Sequence, residues 1–464
     1  MANHPLQSSG VISLNDISME FDRASGTTTS LSNARNQIYG TINVSILPNP
    51  LTGLNSVTSQ PKDGYHVSDW YGYNHNASVV MNFAAGFDSP NVGVITLQTD
   101  NKILCGGAFS NYTGTPADSI VRLNTDGSRD VPFTSAAPTG FDGQVYSIVV
   151  NQFDNKITIG GGYDTFNGIT RRGLVRLNSD GTFDGTFFSN MGSGFSLVNT
   201  DIHGIGLQSD GKIVLVGNLT AFNGTSLRGN ILRLNADGTE DTAFSTNVGS
   251  GINPVPFNTS TFTVCLQDLD GKILVGGTFS QHNGVTRNRL VRLNSDGTED
   301  TAFYSNLGSG FDTTAGHYVN IVKQQTDNKI LVGGSFTSLN GITRNYLVRL
   351  NLNGTVDTAF YTNLGSAFNA QIEGITIQSD GKILVAGDFT TFKGNTRNRL
   401  VRLNSDGTED TVFYGNLGTA FNNYVQCTTI QADSTILVGG GFTSVNGVTR
   451  NRICQLSALG VPLA

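Results

Sequence analysis

The chain has 464 residues, 57 of them glycine, and only 14% are charged. Its 28 basic and 35 acidic residues give a net charge of -7, which excludes the broad positive footprint of a nucleic-acid binder. No apolar run reaches membrane-spanning length, and MANHPLQSSG lacks the basic and apolar regions of a signal peptide. A product made in the cytoplasm without membrane insertion is therefore expected.

The segment 1–78 contains no repeat. Ser13-Leu14-Asn15-Asp16 has a capping-box pattern and places Leu14, Ile17 and Phe21 on one helical face. A second short helix is expected from Ser30 and a strand over Tyr39–Leu47. The stretch from Val67 to Tyr73 gathers Trp70, Tyr71 and Tyr73. The segment is too small and too polar to bury a core alone. It reads as a mostly irregular arm that docks on another surface, with those six residues as its partner contacts. For the aromatic cluster, local packing against the rest of the chain is the alternative.

From about residue 90 a unit of roughly 53 to 60 residues recurs seven times, a period that points to a propeller, solenoid or array. Its lysines fall at Lys102, Lys156, Lys212, Lys272, Lys329 and Lys382, with Thr435 in the last copy. Each copy opens on a short apolar strand, such as Val145–Val150 or Gly374–Gln378. An Asp-Gly pair often follows, suited to the positive φ of a tight hairpin. KILVGG (Lys272–Gly277) is the second strand, a loop with Asn-Gly follows in five copies, and LVRLN (Leu290–Asn294) is the third. A short outer strand ending in Phe187, Phe244, Phe303, Phe360 or Phe413 completes four antiparallel strands, the blade of a propeller. Cys105 and Cys454 replace valines of the repeat, as expected of buried strand positions in a reducing compartment. With Cys265 and Cys427 they show no CxxC or zinc spacing.

The seventh copy lacks the DGTEDTAF segment, while Val79–Phe83 and Gly86-Phe87 resemble the missing passage. Val79–Phe83 is therefore expected to seal the last blade to the first. The expected fold is all-β: a seven-bladed β-propeller over residues 79–464 behind an N-terminal anchoring arm, 1–78.

Two resemblances follow. SDGKILVGGxF, NGxTRNxLVRLN and DGTxDTxF resemble the delta-60 family of propeller repeats over about residues 85–464, which implies a β-propeller and no single activity. GVISLNDISMEF, TTTSLSNAR and HVSDWYGY resemble N-terminal segments of tailed-bacteriophage virion proteins. That second likeness implies a virion component, made in the host cytoplasm, whose arm binds other virion proteins.

The site candidates are modest. NSDGTED resembles a short calcium loop, with Asn294, Asp296, Asp300, Asn404, Asp406 and Asp410 as oxygen ligands. The first ligand is Asn and the closing bidentate Glu is absent, so an Asx-held β-turn is preferred. The arginines of LVRLN read as ion-pair partners of a recurrent Asp, and the TRN arginines Arg287, Arg344, Arg397 and Arg450 as a displayed surface. Tyr112, Tyr163, Phe166 and Phe392 could stack on sugars or fill gaps between blades. The six histidines show no metal spacing or partnered nucleophile. The expected function is a non-enzymatic virion structural protein, of head or tail, whose propeller meets a host-surface glycan or protein or a neighbouring subunit. The alternative is a lectin-like, carbohydrate-binding propeller. No cofactor is expected, calcium being the one considered.

Overall fold

Turn chemistry sets the spacing of the strands. In the computed structural model the Asp-Gly turns place glycine at positive φ, as at Gly211 (+81°) and Gly381 (+81°). Where glycine is missing, Asn101, Asn155, Asn328 and Ser434 take the same left-handed conformation, which Asn tolerates best among non-glycine residues. The Asn-Gly pairs take positive φ at both positions (Asn446 +51°, Gly447 +77°), the type I′ turn of a two-residue hairpin. The structure describes residues 81, 83, 85–88, 90–195, 200–219, 221–226, 229–253, 261–365 and 367–463. The elements expected in residues 1–78, with Leu14, Ile17, Phe21, Trp70, Tyr71 and Tyr73, lie outside them.

Seven inner strands run Val92–Leu97, Gln144–Val150, Asp201–Leu207, Thr261–Leu266, Val319–Gln324, Ile372–Ile377 and Val425–Ile430. Each pairs antiparallel with a middle strand ending in the Gly-Gly region, for example Ile273–Gly277, and that strand with a third, for example Leu290–Leu293. Seven hydrophobic clusters fill the seven interfaces between neighbouring sheets. This is a seven-bladed β-propeller. The second glycine of the pair permits close backbone approach: a Cβ on Gly387 would overlap the Gln371 carbonyl oxygen.

The expected fourth strand is not there. It shrinks to one bridge per blade, such as Leu293↔Glu299. A short helix follows, such as Thr301–Leu307 or Thr411–Leu417, in the first six blades. The reason is local: the Asp of DTAF caps a helix, Asp300 accepting from the Phe303 N–H at 3.2 Å. The terminal Phe is the helix residue that plugs the core.

The ring closes through both the inner strands and the segment that precedes the first. Thr429 Oγ1 donates to the Ile95 carbonyl at 2.6 Å, and Phe87 N–H to Asn451 O at 3.1 Å. Met81 and Phe83 lie in the same core as Leu437 and Ile453. Met81 N–H donates to Gln455 Oε1 at 3.0 Å, so this segment seals the last blade through its side chains and backbone. The blade's outer bridge is made by the C-terminus itself, Leu456↔Pro462.

Candidate functional site

The recurrent arginines are structural. Asp130, Asp184, Asp241, Asp300, Asp357 and Asp410 each hold the blade's lysine at 2.5–2.9 Å and its LVRLN arginine at 2.9 Å. The arginine also donates to a carbonyl of the next blade's turn, as Arg292 does to Leu352 at 2.5 Å. It lies over the helix phenylalanine as well (Arg292 to Phe303, 4.0 Å). Burial pushes these carboxyls up, but lysine, the Phe N–H and arginine outweigh it and hold them low; Asp241 falls to about 2. In the seventh blade the Asp is missing, and Thr435 and Gln455 replace Lys and Arg. Gln455 Nε2 donates to Thr435 Oγ1 at 3.1 Å, a neutral version of the same clamp.

Those contacts also decide the calcium candidates. Asp296 Oδ1 accepts from Thr298 N–H at 2.9 Å and Oγ1 at 2.7 Å, and Asn294 Nδ2 donates to Thr298 Oγ1. Asn404, Asp406 and Thr408 repeat this. Asp300 and Asp410 point at Lys and Arg instead of a common centre. Each loop is an Asx turn, and among the described residues no group of three or more His, Cys, Asp or Glu side chains could hold a metal.

Two other surface readings need correction. Tyr112, Tyr163, Phe166 and Phe392 are all buried, filling the space between hairpin and blade. They cannot stack on a sugar. Among the TRN arginines, Arg287 is buried, bonded to Glu299 at 2.6 Å and stacked 3.6 Å from the Tyr304 ring. Arg397 does the same with Glu409 and Tyr414, and Arg344 stacks on Tyr361.

The variable chemistry lies elsewhere. Every inner strand carries a β-bulge near its N-terminal end. A bulge re-aims one side chain. The seven bulged residues are Gly93, Tyr146, His203, Phe262, Asn320, Glu373 and Gln426, different in every blade, and all line the central channel, whose volume is about 710 Å³. They form a layer at one mouth, the end from which the Asn-Gly hairpins also project.

This layer divides by chemistry. Tyr146 stacks on His203 at 4.6 Å, His203 meets Phe262 edge-on at 5.4 Å, and Phe262 meets Tyr318 at 5.2 Å. Opposite this arc, Asn320 Nδ2 donates to Glu373 Oε2 at 2.8 Å. Gln371 Nε2 donates to both Glu373 Oε1 at 2.7 Å and Asp388 Oδ2 at 3.0 Å. The Tyr318 hydroxyl joins the halves by donating to Gln371 Oε1 at 3.1 Å. Burial, then the Asp388 charge, raises the Glu373 carboxyl to about 7, and burial lowers His203 to about 4. The arrangement can recognise a ligand by stacking and by carboxylate and amide hydrogen bonds. The rings of Tyr146 and Phe262 pack on either side of His203.

A family model described as a domain of unknown function (DUF5122) beta-propeller matches residues 98–133, 152–187, 208–244, 269–303, 325–360, 378–413 and 431–461. These seven matches cover more than half of the chain. The chain belongs to this family. The DUF5122 matches begin after the bulges and end at the helix phenylalanine or near the C-terminus, so they span the clamps and omit the channel mouth. No curated protein matches in sequence. Among solved structures, the extracellular domain of a proposed one component system from B. thetaiotaomicron is similar at 16% identity and a TM-score of 0.45. The match covers 78% of this chain and 39% of that one, so the chain spans about two fifths of that structure's length. The Niastella koreensis GH74 enzyme is similar at 15% identity and 0.47, covering 83% and 55%. The WD40 beta propeller domain of Doa1 is similar at 10% and 0.46, covering 78% and 93%.

The mouth residues of this DUF5122 propeller were not picked out in the sequence. The available signal was the one column of the inner strand that differs in all seven copies, Gly, Tyr, His, Phe, Asn, Glu and Gln. Strand alternation hides it, because a bulge breaks the period of two.

Proposed function

We propose that the chain is a non-enzymatic virion protein of a tailed bacteriophage. In this reading residues 1–78 dock it to other virion proteins, and the propeller presents its channel mouth to a host surface or a neighbouring subunit. The single observation that supports a binding role is the bulged layer, where an otherwise uniform ring becomes seven different side chains around one opening. The virion placement rests on the likeness of GVISLNDISMEF, TTTSLSNAR and HVSDWYGY. A lectin-like role is the second reading, favoured by the aromatic arc of Tyr146, His203 and Phe262.

The test uses the full chain, wild type and Phe262→Ala, with host cells, and the full chain with virions that lack it. Co-sedimentation with virions and loss of cell binding in Phe262→Ala are the expected results. Wild-type cell binding that survives Phe262→Ala would remove the mouth from the reading, and failure to join virions would remove the arm.

A further inference from the structure

We propose that the channel mouth captures its ligand through an ammonium group, a primary or alkylated amine held between Glu373 and the arc of Tyr146, His203, Phe262 and Tyr318. The inference rests on reading the mouth as the binding site. It starts from an imbalance. Each helix-capping aspartate of the ring is neutralised by both a lysine and an arginine, and Glu299 and Glu409 each have an arginine. Glu373 is different: its partners are the neutral amides of Asn320 and Gln371.

Gln371 Nε2 also bonds Asp388, so one neutral donor joins two carboxylates. Among the described residues no cation pairs with Glu373. Buried charges are ordinarily paired, and two carboxylates at one site hold a proton or attract a cation. Burial first, and then the Asp388 charge, raise the Glu373 carboxyl at this place.

The opposite wall suits the same occupant. Aromatic faces attract ammonium groups through their quadrupole, and His203 stays neutral at physiological pH and so adds no repulsion. Among the described residues that line the channel, Lys323 is the one Lys or Arg, and it lies three residues farther along its strand from the bulge, beyond this layer, while Arg399 meets the backbone carbonyl of Asp388. A neutral sugar could stack on the arc but would leave the carboxylate pair uncompensated.

The test is calorimetric titration of the full chain with two isosteric pairs: n-butylammonium against n-butanol, and choline against 3,3-dimethyl-1-butanol. Methyl glucoside serves as the neutral sugar. The cations are expected to bind at least about tenfold more tightly than their uncharged isosteres, a difference of about 1.4 kcal/mol. Preference between the two cations tells a primary amine from an alkylated one. Glu373→Gln is expected to lower cation affinity about tenfold or more and Phe262→Ala several-fold, at wild-type far-ultraviolet circular dichroism. If Glu373→Gln does not fold, Asp388→Asn is read instead, with a smaller loss.

Equal binding of isosteres, affinity indifferent to Glu373→Gln and Asp388→Asn, or binding of methyl glucoside alone would overturn the proposal. So would no binding of either cation. If the amines fail while Phe262→Ala still abolishes cell binding, the ammonium assignment falls and the mouth remains the site. If Phe262→Ala leaves cell binding intact, both fall.

Discussion

The two ends of the ring follow opposite rules. At the end with the Asp-Gly turns, six blades repeat one device: Asp caps a helix while Lys and Arg neutralise it and Arg reaches the next blade. At the channel mouth the seven bulged positions hold seven different residues. Uniformity marks what every blade needs to stand beside its neighbour. Variation marks a place where the ring is free to specialise. The seventh blade supports this division, because when its Asp is lost both cations are lost with it, leaving Thr435 and Gln455.

The largest effect should come from breaking one clamp. Asp300→Ala leaves the buried Arg292 without a carboxylate and Lys272 with only Asp270, at 3.4 Å, and removing one partner of such a buried group costs about 3–5 kcal/mol. Urea unfolding measures it. Adding Lys272→Thr and Arg292→Gln, the choices of the seventh blade, should recover a large part of that loss. If the triple variant is no more stable than Asp300→Ala, the clamp does not act as a unit. The same linkage gives acid sensitivity. Carboxyls held below their unfolded value stabilise the ring above about pH 4, and that stability should drain away as pH falls toward the folded value, about 2 for Asp241.

Gly387→Ala comes next. Its Cβ would collide with the Gln371 carbonyl, so inner and middle strands must separate. Overpacking of this kind costs about 1–3 kcal/mol, again read by urea unfolding. Because Gln371 also carries Glu373 and Asp388, the substitution should weaken ligand binding at the mouth as well.

The mouth should respond to pH in the opposite sense. Glu373 is raised, so the folded state holds its proton longer than the unfolded chain. Its contribution is intact below about pH 4.5 and is lost as pH rises through about 7, the groups facing it being Asp388, Asn320, Gln371, Tyr318 and Tyr424. Glu373→Gln should therefore gain about 1–2 kcal/mol relative to wild type on going from pH 5 to pH 8. A gain independent of pH would mean that Glu373 titrates normally and that the mouth is not short of positive charge.

Much of this was legible in the sequence. The repeat length, Asp-Gly and Asn-Gly turns and apolar runs specified seven blades, and the recurrence of Arg with Asp pointed to an ion pair. The fourth strand was misread because DTAF carries both a strand-like hydrophobic ending and a helix cap. Asp300 bonding to the Phe303 N–H resolves it as helix. The aromatic loop residues were ambiguous for a related reason: Tyr112 and Phe392 sit beside polar turns in sequence, yet hairpin closure folds them inward. Glu373 was invisible because its significance lies in what meets it from another blade, Asn320 on the preceding inner strand, 53 residues away.

The smallest effect separates support from display among the TRN arginines. Arg397 bonds Glu409 through Nε and Nη2 and lies 3.4 Å from the Tyr414 ring centre, whereas Arg344 has the Tyr361 ring, at 3.5 Å, and the Thr343 carbonyl but no carboxylate, because Val356 stands where three blades carry Glu240, Glu299 and Glu409. Arg397→Ala should thus cost about 1 kcal/mol and Arg344→Ala about 0.5 kcal/mol. A double-mutant cycle of Arg397 with Glu409 should give a coupling near the difference between them. The control is ligand binding at the mouth, which neither change should move. Loss of binding without loss of stability would reassign these arginines to the displayed surface, and the division between a uniform frame and a variable mouth would have to extend to the hairpin loops.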